Sequence, residues 1–269
     1  MRREPGGELM RHRLFLPVAC APGDEVTLAN EQATRIARVL RLRSGDCIGL
    51  FDGAGGESAA VLQVVTPRRV TARIVSHRRR DWPFPWRPVL YLPLIRPQRF
   101  EWALEKAVEL GAWEVIPVVT ARTAHGALDA GPQRERRWRR ILEEAAEQCC
   151  AAFVPRLLRP TLFAEALAQP AALRLLAWED AGDTDRVAPS AALQRLSSAD
   201  SELLIALFVG PEGGFAPEEA AAARAAGCVA VTLGPHILRA ETAAVVLLGA
   251  LLEASERVCA DAPVRRGES

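Results

Sequence analysis

Two glycine-bearing loops near the carboxyl end of the chain carry the residues best suited to chemistry. The first, residues 210–214, follows the apolar run 203–209, and its glycines leave no Cβ between the peptide groups and a ligand. The second contains Gly234 and leads through Arg239 and Glu241 into an apolar helix. Because open α/β sheets bind ligands at the carboxyl ends of their strands, we expect both loops to build one site. A tight turn without a ligand is the alternative for the first loop taken alone.

The elements that must position these loops alternate between strands and helices. Apolar runs predict strands at 89–94, 115–119, 174–177, 203–209 and 229–233. Amphipathic or alanine-rich segments between and after them predict helices at 99–110, 134–150, 217–226 and 241–258. This alternation is typical of an α/β domain with a parallel sheet.

The amino-terminal part has a different pattern. A short strand at 12–16 precedes a helix that Asn30 can cap, in which Ala33, Ile36, Val39 and Leu40 share one face. The β-rich runs 47–51, 58–65 and 70–75 alternate with turn residues and predict a small antiparallel barrel. Three prolines in the stretch 78–88 exclude a regular element and indicate a boundary, so we predict domains at 1–80 and 89–269 with a linker at 81–88. Trp82 and Trp86 could stack on RNA bases or, more commonly, pin the linker to a domain.

Composition excludes several classes of protein. No apolar run approaches the ~18 residues of a membrane span, and the start of the chain lacks a signal-peptide apolar region, so we expect a cytoplasmic protein without membrane contact. The 6 cysteines have no Cys-x-x-Cys spacing and no paired histidines. We therefore expect no metal site and no disulfides, and reduced, mostly buried thiols.

Charge is unevenly distributed along the chain. Through residue 88 there are fifteen arginines against nine acids, a net charge of +6, so the remainder carries −5 of the total +1. This split favours a nucleic-acid-facing part at the amino terminus, with a merely solvated arginine-rich surface as the alternative.

The two loops, FVGPEGG at 208–214 and LGPHILRAET at 233–242, resemble the cofactor motifs of the SPOUT methyltransferases. They are most similar to those of the family that methylates N3 of a uridine in bacterial small-subunit (16S) ribosomal RNA. Segments at 38–41, 51–53, 105–111 and 147–148 match that family's motifs in order and approximate spacing. The resemblance implies an α/β protein with an amino-terminal PUA-like β-barrel and a carboxyl-terminal SPOUT domain that contains a trefoil knot. It also implies a homodimer that acts on small-subunit ribosomal RNA or the 30S particle.

By this resemblance both loops hold S-adenosylmethionine, which requires backbone donors and acceptors, an apolar slot and no metal. A phosphate loop is a poorer interpretation, because no Gly-Lys-Ser/Thr sequence ends the first loop. The residues assigned to the cofactor are Leu207, Val209, Gly210, Pro211, Glu212, Gly213, Gly214, Leu233, Gly234, Ile237, Leu238, Arg239, Thr242 and Ala243.

RNA contacts are assigned partly from the charge distribution and partly from the resemblance. These residues are Arg35, Arg38, Arg41, Lys106, Glu109, Arg122, Glu147 and Gln148. Lys106 and Glu109 lie three residues apart on a helix, so a simple exposed polar pair is the alternative for them.

The predicted reaction is attack of uridine N3 on the methyl group of the cofactor. Arg239 could stabilise the developing base anion, and Glu241 or Glu212 could accept the N3 proton directly or through water. An Arg239–Glu241 ion pair that only orients the helix start is the alternative for those two residues. The sequence does not choose between the two glutamates.

Two positions depart from the pattern of the family. Ala151 stands where the family commonly has an arginine, and Arg35 stands where it commonly has a histidine. The first departure removes a substrate contact and puts the usual target, or the rate on it, in question, whereas the cofactor loops are unaffected. Two rival functions therefore stay open: a related methyltransferase acting on another base or a ribose 2′-hydroxyl, and an inactive RNA-binding protein of ribosome assembly.

Overall fold

The computed structural model describes residues 12–123, 131–178, 186–194, 196 and 202–261. The chain divides into two compact units. Unit 1 comprises Met1–Pro83 and Ala146–Val154, and unit 2 comprises Phe84–Ala145 and Pro155–Ser269. The grouping of 146–154 with the amino-terminal residues was not expected from the sequence, and the predicted boundaries at 80 and 89 stay a prediction.

Unit 1 is built around a five-stranded sheet. Its strands are β1 (Arg13–Phe15), β2 (Glu25–Ala29), β3 (Cys47–Phe51), β4 (Gly56–Val65) and β5 (Arg69–Arg79). The strand order is β1-β3-β4-β5-β2, and every neighbouring pair is antiparallel except β1 and β3, which are parallel. The sheet is therefore mixed, whereas the sequence predicted an antiparallel one. Leu14, Leu28, Ile48 and Ile74 lie in its apolar core.

The helical segment of unit 1 differs from its prediction. The α-helix α1 covers only Asn30–Thr34, and residues Arg35–Val39 form a π-helical turn in which the Leu40 N–H donates to the Arg35 carbonyl at 2.9 Å. The wider turn rotates Val39 to the surface, where it is 70% exposed, instead of onto the buried face. Asn30 is not the cap either, because it lies in the helix with a φ of 53° and Ala29 precedes it as the cap residue.

Unit 2 is an α/β unit with a parallel sheet. Its strands are β6 (Arg87–Pro93), β7 (Glu114–Val119), β8 (Arg156–Leu157), β9 (Thr161–Leu162), β10 (Leu173–Ala177), β11 (Leu204–Val209) and β12 (Val229–Val231). The helices that follow α1 are α2 (Pro97–Glu109), α3 (Pro132–Cys149), α4 (Phe163–Leu167), α5 (Pro189–Leu193), α6 (Pro217–Ala225) and α7 (Ala240–Asp261). The sheet order is β12-β10-β11-β6-β7-β8, and β9 also pairs with β7.

The predicted fold class is confirmed, with short elements added. All five strands and all four helices predicted for the α/β part are present within a few residues of their expected bounds. The sequence missed β2, β8, β9, α4 and α5, which have five residues or fewer and so show little periodicity. The equally short β1, β3, β10 and β12 were predicted because each lies in an apolar or β-rich run. The trefoil knot stays a prediction.

The stretch around the proposed linker is more regular than predicted. Arg78 and Arg79 extend β5, and Arg87 with Pro88 opens β6. Trp86 is buried, and the Trp82 ring packs edge-on against Phe153 at 5.2 Å between ring centroids. The structure thus favours the interpretation in which these tryptophans pack against protein rather than stack on RNA bases.

Within the described ranges, no helix is long and apolar enough to cross a membrane. The same ranges contain no group of three or more side chains that could hold a metal ion. The expectation of mostly buried thiols was wrong. All five described thiols are free, but none is fully buried, and Cys47 is exposed. Burial raises the pKa of the Cys228 thiol to about 11.

Candidate active site

A cavity of about 330 Å³ lies at the carboxyl ends of β10 and β11 in unit 2. Val209, at the end of β11, contributes to its wall together with the first glycine loop, and the second loop supplies a further part. The lining residues are Arg96, Arg99, Ala177, Val209, Gly210, Pro211, Glu212, Ile237, Leu238, Arg239, Ala240 and Ala243. The two loops that the sequence singled out therefore do meet at one cavity.

The order of the strands explains which other residues reach the cavity. The two loops follow β11 and β12, which are not neighbours, because β10 lies between them and contributes Ala177. On its other side β11 pairs with β6, so the turn from β6 into α2 brings Arg96 and Arg99 to the same edge. Sequence reasoning missed both arginines. Their position directly after a buried strand was the signal that could have identified them.

The first loop is closed by its own backbone and leaves little room for a side chain at Gly210. Gly214 has a φ of +67°, and its N–H donates to the Pro211 carbonyl at 2.9 Å, which closes a turn. A Cβ placed on Gly210 would approach the Phe215 ring to 3.1 Å. Glycine is therefore required at 214 by conformation and favoured at 210 by space.

Two contacts from outside brace the same loop. The Arg122 guanidinium donates to the Gly213 carbonyl at 2.6 Å. The Glu219 carboxylate accepts from the N–H of Ala216 at 2.9 Å and from the N–H of Ala121 at 2.8 Å. Arg122, assigned to RNA from the sequence, thus lies against the first loop, and its RNA contact stays a prediction.

The second loop exposes its side chains. Gly234 has a φ of +115°, and Ile237 is 82% exposed although it lines the cavity. Arg239 is exposed as well. Among the described residues, the side chains of Arg239 and Arg96 have no hydrogen-bond or ion-pair partner. At least two guanidinium groups that pair with no described carboxylate therefore border the cavity.

The third arginine of the cavity is fully engaged. Arg99 Nη1 contacts Glu212 Oε1 in a close ion pair, and Arg99 Nε lies 3.5 Å from Glu241 Oε1. The alternative of an Arg239–Glu241 ion pair is therefore wrong. The ion-pair partner of Glu241 is Arg99 from α2. Glu241 is 7% exposed, and its Oε2 atom is buried without a hydrogen bond from any described residue.

Six residues assigned to the cofactor from sequence do not line the cavity. Leu207 is fully buried inside β11, because it belongs to the strand core rather than to the loop. The other five are Gly213, Gly214, Leu233, Gly234 and Thr242. Their contact with a cofactor stays a prediction.

The residues assigned to RNA separate into several groups. Arg38, Arg41 and Gln148 are exposed. The Glu147 carboxylate accepts from the Phe15 N–H at 2.8 Å and pairs with Arg35 at 2.5 Å, both within unit 1.

Lys106 forms a cluster of its own on α2. Its ammonium group lies 2.8 Å from Glu105 and 2.7 Å from Glu109. Hydrogen bonds to Glu105 and then to Glu109 raise the pKa of Lys106 above its ordinary value. Lys106 follows Arg99 by seven residues, which places it about 10 Å further along α2. The structure thus shows the paired arrangement for Lys106 and Glu109, and their RNA role stays a prediction.

Comparison with known proteins identifies the family. A family model described as an RNA methyltransferase domain matches residues 83–252, and one described as an RNA methyltransferase PUA domain matches residues 28–75. A ribosomal RNA small subunit methyltransferase E from Mycobacterium bovis is 36% identical over 249 residues, covering 87% of this chain and 86% of that protein. This chain belongs to the ribosomal RNA small subunit methyltransferase E family. The Bacillus subtilis member is 29% identical and covers 87% of the chain and 92% of its own length.

Solved structures agree with the membership in the methyltransferase E family. A putative methyltransferase from Legionella pneumophila, in complex with bound S-adenosylmethionine, superposes with a TM-score of 0.81 at 27% identity, covering 91% of this chain and 98% of its own. A ribosomal RNA small subunit methyltransferase E from Neisseria gonorrhoeae bound to S-adenosylmethionine gives 0.76 at 30% identity, with coverage of 90% and 97%. The PUA-like and SPOUT-type fold expected from the resemblance is thereby confirmed.

Proposed function

We propose that this protein transfers the methyl group of S-adenosylmethionine to N3 of a uridine in small-subunit ribosomal RNA. The observation that carries the proposal is the cavity in unit 2, where the two loops converge at the carboxyl edge of a parallel sheet. Membership in the family supports methyl transfer to ribosomal RNA. The arginines and glutamates at the cavity are groups suited to methyl transfer to uridine N3 in particular. Ribosomal RNA as the target also implies that the protein works in the cytoplasm.

The residues of the cavity fit this cofactor. Val209, Ile237 and Leu238 contribute apolar side chains to the lining, and Gly210 and Pro211 line the cavity beside them. The Glu212 carboxylate suits the positive sulfonium group. When bound, S-adenosylmethionine supplies an electrophilic methyl carbon.

Arg239 is proposed to stabilise the uracil anion as N3 loses its proton. Its guanidinium group is unpaired among the described residues and borders the cavity, so it is available to a negative charge that develops there. Glu212 or Glu241 is proposed to accept the proton, directly or through water. Glu212 borders the cavity, whereas Glu241 is almost completely buried with one oxygen unpartnered.

RNA is proposed to bind to an arginine surface on unit 1, formed by Arg38, Arg41, Arg68 and Arg69. All four side chains are exposed, and none has an ion-pair partner among the described residues. By contrast, Arg13, Arg78 and Arg80 all pair with Glu57. Unpaired guanidinium groups remain free to bind phosphate, which makes this surface the better candidate.

The arginine surface combines Arg38 and Arg41 with Arg68 and Arg69, which the fold brings close to them. Arg69 lies opposite Ala29 in the β2–β5 ladder, and α1 begins directly after Ala29. The Thr34 hydroxyl, at the end of α1, donates to the Pro67 carbonyl at 3.0 Å. The turn that carries Arg68 is therefore tied to the helix that leads to Arg38, although thirty residues separate them in sequence.

A homodimer is also proposed, on the resemblance to the family. Val246 on α7 is 37% exposed, and Ile237 is exposed beside the cavity, so both offer apolar surface to a second copy. Light scattering of the purified protein would test this, and a monomer at micromolar concentration would contradict it.

The reaction is tested by incubating the protein with S-adenosylmethionine carrying a labelled methyl group and with either small-subunit RNA or 30S particles from cells that lack the enzyme. Digestion to nucleosides and mass spectrometry then locate the label. We expect label on uridine N3.

Label on another base or on a ribose 2′-hydroxyl would replace this target with that of a related methyltransferase. Binding of RNA without label on any substrate would indicate an inactive assembly factor. Ala151 makes this test necessary, because its methyl side chain has no donor for RNA where the family commonly has an arginine.

A further inference from the structure

Arg99 connects three separate segments at the cavity. It lies in the first turn of α2, its Nη1 atom contacts Glu212 in the first loop, and its Nε atom contacts Glu241 in the first turn of α7. The two glutamates belong to the two loops of the candidate site. A single guanidinium group therefore bridges both loops.

The chemistry of arginine suits a bridge of this kind. A guanidinium group is planar and has donors on several edges, so it can meet two carboxylates at once in fixed directions, whereas an ammonium group is a single flexible point charge. The helix that carries Arg99 is fixed to the core by Phe100 and Leu104, which are buried on its inner face. The bridge is therefore anchored on a rigid element.

Burial makes the bridge necessary on the Glu241 side. The Glu241 side chain is 9% exposed, and Arg99 is its ion-pair partner among the described residues. Loss of Arg99 would leave this buried carboxylate without an ion-pair partner among the described residues, which is strongly unfavourable. The start of α7, and with it Arg239 two residues earlier, would then lose this tie to α2.

We propose that Arg99 is a positioning residue that holds the two loops at a fixed separation and thereby sets both cofactor affinity and the aim of Arg239. The expected effects on S-adenosylmethionine affinity and on RNA turnover rest on the proposed function. The bridge between the two loops does not, because it is formed by the protein without cofactor or RNA.

The first test uses the cofactor-free protein and hydrogen exchange of backbone amides. In Arg99→Gln, which keeps most of the side-chain volume, we expect exchange to accelerate in both 210–216 and 233–241. The exposed Glu212 gives a variant, Glu212→Gln, that breaks one arm of the bridge with little risk to folding, and it should accelerate the first loop more than the second. Arg140→Ala is the matched control, because it removes an exposed arginine paired with Glu144 on α3. Acceleration confined to the start of α2 would overturn the proposal.

The second test measures cofactor binding by calorimetry and turnover on RNA. Arg99→Ala should weaken S-adenosylmethionine binding about tenfold and also lower turnover, with partial recovery in Arg99→Lys. Adding Glu212→Gln to Arg99→Ala should weaken binding by less than Glu212→Gln does in the wild type, since the contact between the two side chains is already lost and only the direct effect of Glu212 on the cofactor remains.

The outcomes separate this inference from the proposed function. If the wild-type protein fails to bind S-adenosylmethionine but both loops loosen in Arg99→Gln, the proposed function fails and the bridge stands. If the wild-type protein binds and methylates, but Arg99→Ala does so equally well or its effect adds fully to that of Glu212→Gln, the bridge is wrong.

Discussion

The arginines of the cavity have separate contacts and separate proposed roles, whereas those of the arginine surface are equivalent to one another. At the cavity, Arg99 pairs with two carboxylates, whereas Arg239 has no partner among the described residues, so each has a separate task. On unit 1, the side chains of Arg38, Arg41, Arg68 and Arg69 are all exposed, and none has an ion-pair partner in the described part of the chain. Residue type alone does not separate these two cases.

The difference follows from the surroundings of the charges. A charge beside a partly enclosed cavity acts on one atom of a ligand in one geometry, whereas charges on an open surface act together on a polyanion and are screened by salt. Single substitutions should therefore have large effects at the cavity and small, additive effects on the arginine surface.

The largest effect is expected from Arg239→Ala. Loss of one preorganised group that stabilises a developing anion costs roughly 10²–10³ in rate, with much less effect on ground-state binding. Single-turnover kinetics with labelled cofactor, together with RNA binding measured on the same preparation, check this. Equal losses in RNA binding and in rate would show that Arg239 only binds RNA, like the arginines on unit 1, and would contradict its proposed role in the reaction.

Gly210→Val should abolish measurable cofactor binding. The added side chain would enter the cavity wall where even a Cβ approaches the Phe215 ring to 3.1 Å. Gly249→Ala is the control, because Gly249 does not line the cavity and no described atom outside the backbone of its own helix lies within 4 Å of a Cβ placed there. Calorimetry with S-adenosylmethionine should show loss in the first variant and near-normal affinity in the second.

Glu57→Gln tests the paired arginines of unit 1. Glu57 receives Arg13 at 2.8 Å, Arg78 at 2.6 Å and Arg80 at 2.7 Å, and its loss should destabilise the fold by about 1.5–3 kcal/mol, the usual worth of hydrogen bonds to a charged group. RNA affinity should change little, because these arginines are not part of the arginine surface. Urea denaturation and RNA binding of the same variant check both halves of the prediction.

The effect of Glu57→Gln should depend on pH. Burial alone would raise the pKa of Glu57, but the hydrogen bond from Arg78 and the charges of Arg13 and Arg80 outweigh it and hold this pKa below its ordinary value. The stabilisation is therefore complete above the unfolded-state value of about 4.3 and is lost as the pH falls through the lower folded-state value. A difference between variant and wild type that persists undiminished in strong acid would contradict this origin.

The smallest effects are expected on the arginine surface. Each single change to alanine at 38, 41, 68 or 69 should lower RNA affinity only a few-fold and flatten the log–log salt dependence by roughly 0.7–0.9. The fourfold variant should lose roughly 3 in slope. Filter-binding titrations across salt concentrations measure this, and a single arginine that accounts for the whole effect would show that the surface contains a specific site.

The sequence alone determined the elements whose signal is local. An unbroken apolar run predicted β11, glycines marked the first loop, and a long apolar segment predicted α7, because periodicity and turn chemistry depend on neighbours in the chain. The resemblance of the same two loops to known motifs also pointed to the family that the comparisons then showed. Most of the cavity lining was predicted in this way.

Only the tertiary structure decided which other residues join those loops. The pairing of β6 with β11 brings Arg96 and Arg99 to the cavity, and the placement of β10 between β11 and β12 adds Ala177. The partner of Glu241 likewise proved to be Arg99, which is distant in sequence, rather than Arg239 two residues away. Strand order depends on which buried faces pack together across the whole sheet, and the pattern along a single segment does not contain that information.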